Sequence, residues 1–138
     1  MAEHAADRRR PLMRLGRAFL GGLFLALVAC GRGPEAPFGA FPAPGGAYTL
    51  RVAVAESNFP QGPRHVIVYL LTRDGTPGAP LIDTTLANDG VPFTAQNIAV
   101  RWVSERQALV CLRATDLPDR GLSIDVGPPP RVTEVGQC

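Results

Sequence analysis

The sequence contains no lysine: all 14 of its basic residues are arginine. These arginines are unevenly distributed. Residues 1–29 carry five arginines against Glu3 and Asp7, whereas residues 30–138 carry nine arginines against ten acidic residues. The basic excess therefore lies in the N-terminal segment. Because a domain that neutralises nucleic-acid phosphates needs such an excess, residues 30–138 are not expected to bind nucleic acid.

Residues that carry nucleophilic or metal chemistry are also few. After residue 30 there is one histidine, His65, and none of the serines Ser57, Ser104 and Ser123 lies in a Gly-x-Ser-x-Gly motif. A zinc site needs several His or Cys ligands at short spacing, and a nucleophile needs a base beside it. His65 is interpreted as a residue at the end of an apolar strand. No catalytic residue, metal site or cofactor is predicted, and we expect the protein not to be an enzyme.

Three acidic residues, Asp116, Asp119 and Asp125, lie close together in the sequence. Clustered carboxylates can hold calcium, but aspartate also favours turns for purely local reasons, and Arg120 stands among these acids. A turn between two strands is the preferred interpretation. A weak ion site is the alternative.

The N-terminal segment has the composition of an export signal. Residues 8–17 are basic (RRRPLMRLGR), and residues 18–29 are apolar and uncharged (AFLGGLFLALVA). A basic start, a short apolar stretch and small residues at the cleavage point are typical of a secretory signal. As a helix the apolar stretch would span roughly 20 Å, short of a bilayer core of about 30 Å. Residues 1–29 are therefore predicted to be a signal peptide starting at Met1 or Met13, rather than a transmembrane helix.

The end of this segment, Leu27-Val28-Ala29-Cys30, resembles the lipobox of bacterial lipoproteins: an aliphatic residue, a tolerant position, a small residue and a cysteine. The resemblance implies lipidation of the Cys30 sulfur, cleavage after Ala29 and acylation, for example with palmitate, of the new amino terminus. Two or three acyl chains would hold the protein on a membrane. In this family an aspartate after the cysteine favours the inner membrane, so Gly31 implies the outer membrane, facing the periplasm.

The segment after Cys30 is rich in proline, glycine and alanine. Residues 31–47 contain Pro34, Pro37, Pro42 and Pro44 and show no hydrophobic periodicity. Such a composition predicts a flexible tether over residues 30–47, followed by a folded domain over residues 48–138. Two phenylalanines at positions 38 and 41 are unusual in a spacer. They are interpreted as linker hydrophobes, with docking on the domain as the alternative.

Residues 48–138 have the pattern of a β-protein. Tyr48, Leu50, Val52 and Val54 alternate with other residues, as in a half-buried strand. Asp74-Gly75 predicts a hairpin turn, and Trp102 alternates with Ile98 and Val100 and is assigned to the core. The predicted strands cover residues 48–54, 66–71, 81–86, 98–103, 107–114, 122–126 and 131–135. Seven short strands separated by turn signals predict an antiparallel β-sandwich, most simply an immunoglobulin-like one.

Two cysteines remain after Cys30, at Cys111 and Cys138. In an exported protein two remaining thiols usually pair. On the strand at residues 107–114, Cys111 shares a face with Gln107 and Arg113, away from the more apolar face of Val110 and Leu112. We therefore predict a Cys111–Cys138 disulfide outside the deepest part of the core, with two free cysteines as the alternative.

Together these features predict a lipid-anchored protein of the cell envelope that is non-catalytic and binds another protein or supports an assembly. The membrane would be its first partner, through Cys30, and an envelope protein its second. A periplasmic lipoprotein that binds a small ligand or an ion is the alternative. An apolar cavity with converging polar groups would favour that alternative, and His65 beside a carboxylate in a cleft would favour an enzyme.

Overall fold

The computed structural model describes residues 31–88, 90–114 and 117–138, so the predicted signal peptide and Cys30 lie outside the described residues. Within the described part there are eight β-strands and no helix. The strands are β1 (Arg32–Pro42), β2 (Thr49–Ser57), β3 (Arg64–Leu71), β4 (Pro77–Leu86), β5 (Ile98–Trp102), β6 (Gln107–Leu112), β7 (Arg120–Asp125) and β8 (Arg131–Gly136). The all-β prediction is confirmed.

The strands form two antiparallel sheets of four, consistent with a small β-sandwich. Sheet A has the order β1-β2-β3-β4, and sheet B has the order β5-β6-β7-β8. Each strand thus pairs with its neighbour in sequence, because short turns keep consecutive strands adjacent. The predicted immunoglobulin-like connectivity does not agree with this strand order, because in an immunoglobulin fold consecutive strands cross between the two sheets.

Alternation along the strands places the core between the two sheets. Leu50 and Val52 of β2 and Val66 and Val68 of β3 are fully buried in one hydrophobic cluster. Ile82 and Leu86 of β4 complete the contribution of sheet A to this cluster. The other buried members come from sheet B and the residue after β7, and they are Ile98, Ala108, Val110, Leu112, Leu122, Ile124 and Val126. Trp102 packs against the cluster, as predicted, and its Nε1 donates a hydrogen bond to the carbonyl of Phe41, 3.0 Å away.

The predicted tether is wrong, because residues Arg32–Pro42 form β1, which pairs with β2 along its length. Proline is tolerated there because β1 is the edge strand of sheet A, where an amide can point away from the sheet. A register shift between Pro37 and Gly39 interrupts the alternation. Phe38 and Phe41 both pack against the core, although they are three positions apart. Only Gly31 separates Cys30 from the first strand.

The antiparallel order gives the sandwich two distinct ends. At one, which we call the Arg32 end, β1 begins and the connections at residues 58–63, 87–97 and 113–119 turn back. At the other, the Trp102 end, the connections at residues 43–48, 72–76, 103–106 and 126–130 turn. Two contacts align the sheets: Trp102 with Phe41, and Arg120 Nη1 with Thr84 Oγ1 at 3.2 Å. With strands of eight or nine residues in β3 and β2, the ends lie about 25 Å apart.

Candidate functional site

Cys111 and Cys138 are joined in a disulfide, as the sequence predicted, with their Cα atoms 5.8 Å apart. Val110 and Leu112 belong to the core cluster and Cys111 does not, so the bridge lies on the outer side of sheet B. Gly121 is paired with Cys111 and lies beneath the chain that leads to Cys138. A Cβ at Gly121 would lie 3.1 Å from the carbonyl oxygen of Gly136, so glycine permits this close approach. The bridge fastens the chain beyond β8 to the middle of the sheet.

His65 lies on the outer face of sheet A and not beside a serine. Its Nδ1 is 3.8 Å from Asp83 Oδ1, too long for a hydrogen bond. The serine hydroxyls accept hydrogen bonds from other groups: Ser57 from the amide of Phe59, Ser104 from the amides of Arg106 and Gln107, and Ser123 from the Gln107 side chain. The structure therefore does not bring His65 and a serine together.

The acidic cluster suggested by the sequence is separated by the fold. Asp119 pairs with Arg113 at 3.3 Å just before β7 begins, and Asp125 lies at the other end of β7, where it accepts a hydrogen bond from the amide of Gly127. Asp116 lies outside the described residues. Among the described residues, no group of three or more His, Cys, Asp or Glu side chains is arranged to hold a metal ion. Of these acids, Asp119 lies in the connection between β6 and β7, and Asp125 is the last residue of β7.

A charged face that sequence reasoning missed covers the outer side of sheet A. Arg32 of β1 reaches Glu35 at 2.7 Å and Asp83 of β4 at 2.8 Å. The Tyr69 hydroxyl of β3 donates a hydrogen bond to Glu35 at 2.8 Å, and the Arg51 guanidinium lies 5.2 Å from the Tyr69 ring centre. These side chains cross small or apolar residues of the central strands, namely Ala53, Ala55 and Ile67, which are buried.

The charged face holds β1 to the rest of sheet A. Arg32 contacts both carboxylates of the face, Glu35 and Asp83, whereas Arg51 lies over the Tyr69 ring and its buried Nε has no hydrogen-bond partner among the described residues. The hydrogen bond to the Glu35 carboxylate raises the pKa of Tyr69 above its ordinary value, with smaller contributions from desolvation and from the Glu35 charge. The face is an open surface over a buried layer and not a cleft, and its geometry is that of a structural network.

A groove of about 430 Å³ lies at the Trp102 end of sheet A, where Pro130 is the one lining residue that comes from the side of sheet B. It is lined mainly by apolar side chains from β3, β4 and the adjoining turns, among them Tyr48, Leu70, Leu81, Pro80 and Pro130. Arg73 is the one charged side chain among the described residues that line it. The volume is within the range of ligand sites, which combine an apolar wall with a few polar groups.

The turn at residues 72–76 shapes the mouth of this groove. Gly75 has φ of +82°, as the Asp74-Gly75 prediction requires, and its amide bonds to the carbonyl of Thr72. The Asp74 carboxylate accepts hydrogen bonds from the Thr72 hydroxyl and the Thr76 amide, which lower the pKa of Asp74. Arg73 therefore stands on an ordered turn beside the apolar wall. The sequence predicted the turn, but the groove also depends on Pro130, in the connection between β7 and β8 of the other sheet, which no local pattern reveals.

No family model, curated protein or solved structure matches this chain. Within the described residues, no helix is both long enough and apolar enough to cross a membrane.

Proposed function

We propose that this protein is a lipid-anchored, non-catalytic domain of the cell envelope that binds a partner protein through the groove at the Trp102 end. The anchor is Cys30, on the grounds of the lipobox-like Leu27-Val28-Ala29-Cys30 and the signal-like segment before it. The proposal rests on the position of the groove, which opens at the end of the sandwich opposite to the end where the chain leaves Cys30.

The groove chemistry fits an extended peptide segment that carries apolar side chains and one acidic group. Leu70, Leu81 and Tyr48 offer an apolar wall, and the exposed Arg73 offers a cation at its mouth. Burial of apolar side chains would supply affinity, while the arginine would fix orientation. With the domain anchored at its other end, the groove would face away from the outer membrane, into the periplasm.

The anchor is tested by the Cys30→Ala variant of the full chain in a bacterial host. We expect this variant to accumulate as uncleaved precursor without incorporated palmitate, whereas the wild type is shortened by 29 residues and labelled. Mass spectrometry of the N-terminal peptide and flotation with membranes report the two outcomes. Normal cleavage of the variant, with no lipid on the wild type, would contradict the anchor.

The groove is tested by site-specific photo-crosslinking in the same cells. A benzoylphenylalanine at Ala47, which lines the groove, should capture a discrete partner. The same group at Val103, an exposed residue of the same end outside the groove lining, should not capture it. Ala79→Arg, which fills the rim without touching the core, should abolish the adduct. Equal adducts at both positions, or none at Ala47, would contradict the partner site.

The volume of the groove also favours a second candidate, an apolar small ligand. Native mass spectrometry of the purified wild type distinguishes the two. A co-purifying small molecule that is lost in Ala79→Arg would assign the groove to a ligand-binding lipoprotein instead.

A further inference from the structure

Exposed apolar side chains are concentrated at the Arg32 end of the sandwich. Phe59, Val91 and Leu117 lie on the three separate connections that turn there, and they are 61, 53 and 58% exposed. Val135, near the end of β8, is 50% exposed at the same end. Single exposed hydrophobic residues are ordinary, but here each of the three connections of one end presents one. We call Phe59, Val91 and Leu117 the apolar tips.

The chain that enters this end comes directly from Cys30. Gly31 is the only residue between Cys30 and β1, so at most about 7 Å of chain joins the Cys30 Cα to the Cα of Arg32. A lipidated Cys30 would hold the Arg32 end within a few ångströms of the headgroups. The tether that would have kept the domain away from a membrane is instead a strand of sheet A.

We propose that the Arg32 end rests on the lipid bilayer, with the apolar tips entering the interfacial layer. This inference rests on the proposed lipid anchor at Cys30. The acyl chains would supply the affinity, and the tips would set the orientation by entering the boundary between headgroups and acyl chains, where the apolar face of an interfacial helix is buried by about 5–10 Å. The domain would then stand with sheets A and B upright and the groove at the Trp102 end directed into solution.

The charges at this end favour an apolar contact over an electrostatic one. Each of its four arginines pairs with a carboxylate. The pairs are Arg32 with Glu35 and Asp83, Arg64 with Glu56, Arg113 with Asp119, and Arg120 with Glu134. A surface that attracts anionic lipids presents unpaired basic side chains. We therefore assign the contact to the apolar boundary of a zwitterionic bilayer, and expect it to be insensitive to salt.

The test measures depth in the bilayer with the lipidated mature protein, reconstituted in phosphatidylcholine vesicles with or without bromine on the acyl chains. Trp102 is the only tryptophan and lies toward the far end, so the wild type gives the baseline. Phe59→Trp adds a reporter at a tip, and Val103→Trp adds one of similar exposure at the Trp102 end. The added fluorescence at position 59 should fall to about half in brominated vesicles and that at position 103 should not change, because the ends are about 25 Å apart.

The outcomes separate the orientation from the anchor. If the protein fails to float with the vesicles, the Cys30 anchor is wrong and this inference falls with it. If the protein floats but position 59 is not quenched, or both positions are quenched alike, the anchor stands and the proposed orientation is wrong. The apolar tips would then be assigned to contact with another protein. Selective quenching at position 59 that persists in 0.5 M salt supports the apolar contact; loss of quenching in salt would overturn it.

Discussion

At the scale of single residues, the charged face illustrates what a sequence pattern leaves unseen. Arg32, Glu35, Tyr69 and Asp83 come from three strands, and Asp83 follows Arg32 by 51 positions. No local spacing signals such contacts, because they depend on strand order and register. In the sequence alone, these residues look like ordinary polar residues on the outer face of a strand. Only the sheet brings them over the buried side chains of Ala53, Ala55 and Ile67.

The hydrogen bond between Tyr69 and Glu35 gives a prediction at this scale. Glu35→Gln removes the carboxylate that raises the pKa of Tyr69, so that pKa should fall toward its ordinary value of about 10. Absorbance of the phenolate, titrated in a Tyr48→Phe background that leaves Tyr69 as the single tyrosine, measures the shift. Glu134→Gln, on β8 of the other sheet, is the control and should leave the titration unchanged.

The sign of the associated pH dependence follows from the raised pKa. The folded protein favours neutral Tyr69, so this contribution to stability is fully present below about pH 10 and is lost as the pH rises through the folded-state pKa. Glu35→Gln should flatten the decline in the free energy of unfolding above pH 10. A decline of equal slope in the wild type and the variant would show that the hydrogen bond does not form in solution.

At the scale of elements, β1 marks the limit of compositional reasoning. Proline and glycine dominate residues 31–47, and that composition is typical of a tether. It is equally compatible with an edge strand, which needs only one row of its amides for pairing. β4, the other edge of sheet A, carries Pro77 and Pro80 in the same way. Proline at both edges also discourages pairing with further strands.

A pair of phenylalanine substitutions tests whether β1 belongs to the fold. Phe41 packs against the core, so Phe41→Ala should lower the free energy of unfolding by about 2–3 kcal/mol, somewhat less than for a fully buried phenylalanine. Phe59→Ala, at an exposed tip, should change it by no more than about 0.5 kcal/mol. Urea denaturation gives both values. Equal, small losses would restore the tether interpretation.

The last strand depends on its disulfide. Every residue of β8 is exposed, so the strand is held by pairing with β7, by the Arg120–Glu134 ion pair and by the Cys111–Cys138 bridge. Cys138→Ser should cost about 2–5 kcal/mol, and should speed amide exchange across β8 while leaving β6 protected. Reductant should destabilise the wild type by a similar amount and leave the variant unaffected. Two alkylatable thiols in the mature wild type would disprove the bridge.

At the scale of the whole molecule, the sequence predicts the strands better than their arrangement. Seven of the eight strands follow from alternation and turn residues, which are local properties, and the core face of β2 and β5 follows with them. The order of the sheets does not follow, because several sandwich connectivities satisfy the same alternation. The two ends, with the groove at one and the apolar tips at the other, emerge only once that order is known.

Net charge supplies a final prediction for the whole molecule. The full chain has a formal net charge of +2 and a sequence pI of about 8.7, whereas residues 30–138 carry nine arginines against ten acidic residues. The proposed cleavage after Ala29 would therefore reverse the sign of the net charge. The mature protein should focus below pH 7 and bind duplex DNA more weakly than about 100 µM, because it lacks the basic excess that displaces counterions from phosphates.

Fluorescence anisotropy with a labelled duplex at about 50 mM salt measures this binding, under conditions that exaggerate electrostatic attraction. The uncleaved Cys30→Ala precursor, which keeps the five arginines of residues 1–29, is the matched comparison and should bind more tightly, with an affinity that falls as salt rises. The two proteins share every residue from 31 onward, so a difference between them reports residues 1–30 and the lipid on Cys30. Salt-dependent binding of equal strength in both would locate a basic surface on the sandwich itself. The reason to expect no such surface is that residues 30–138 carry ten acidic residues against nine arginines.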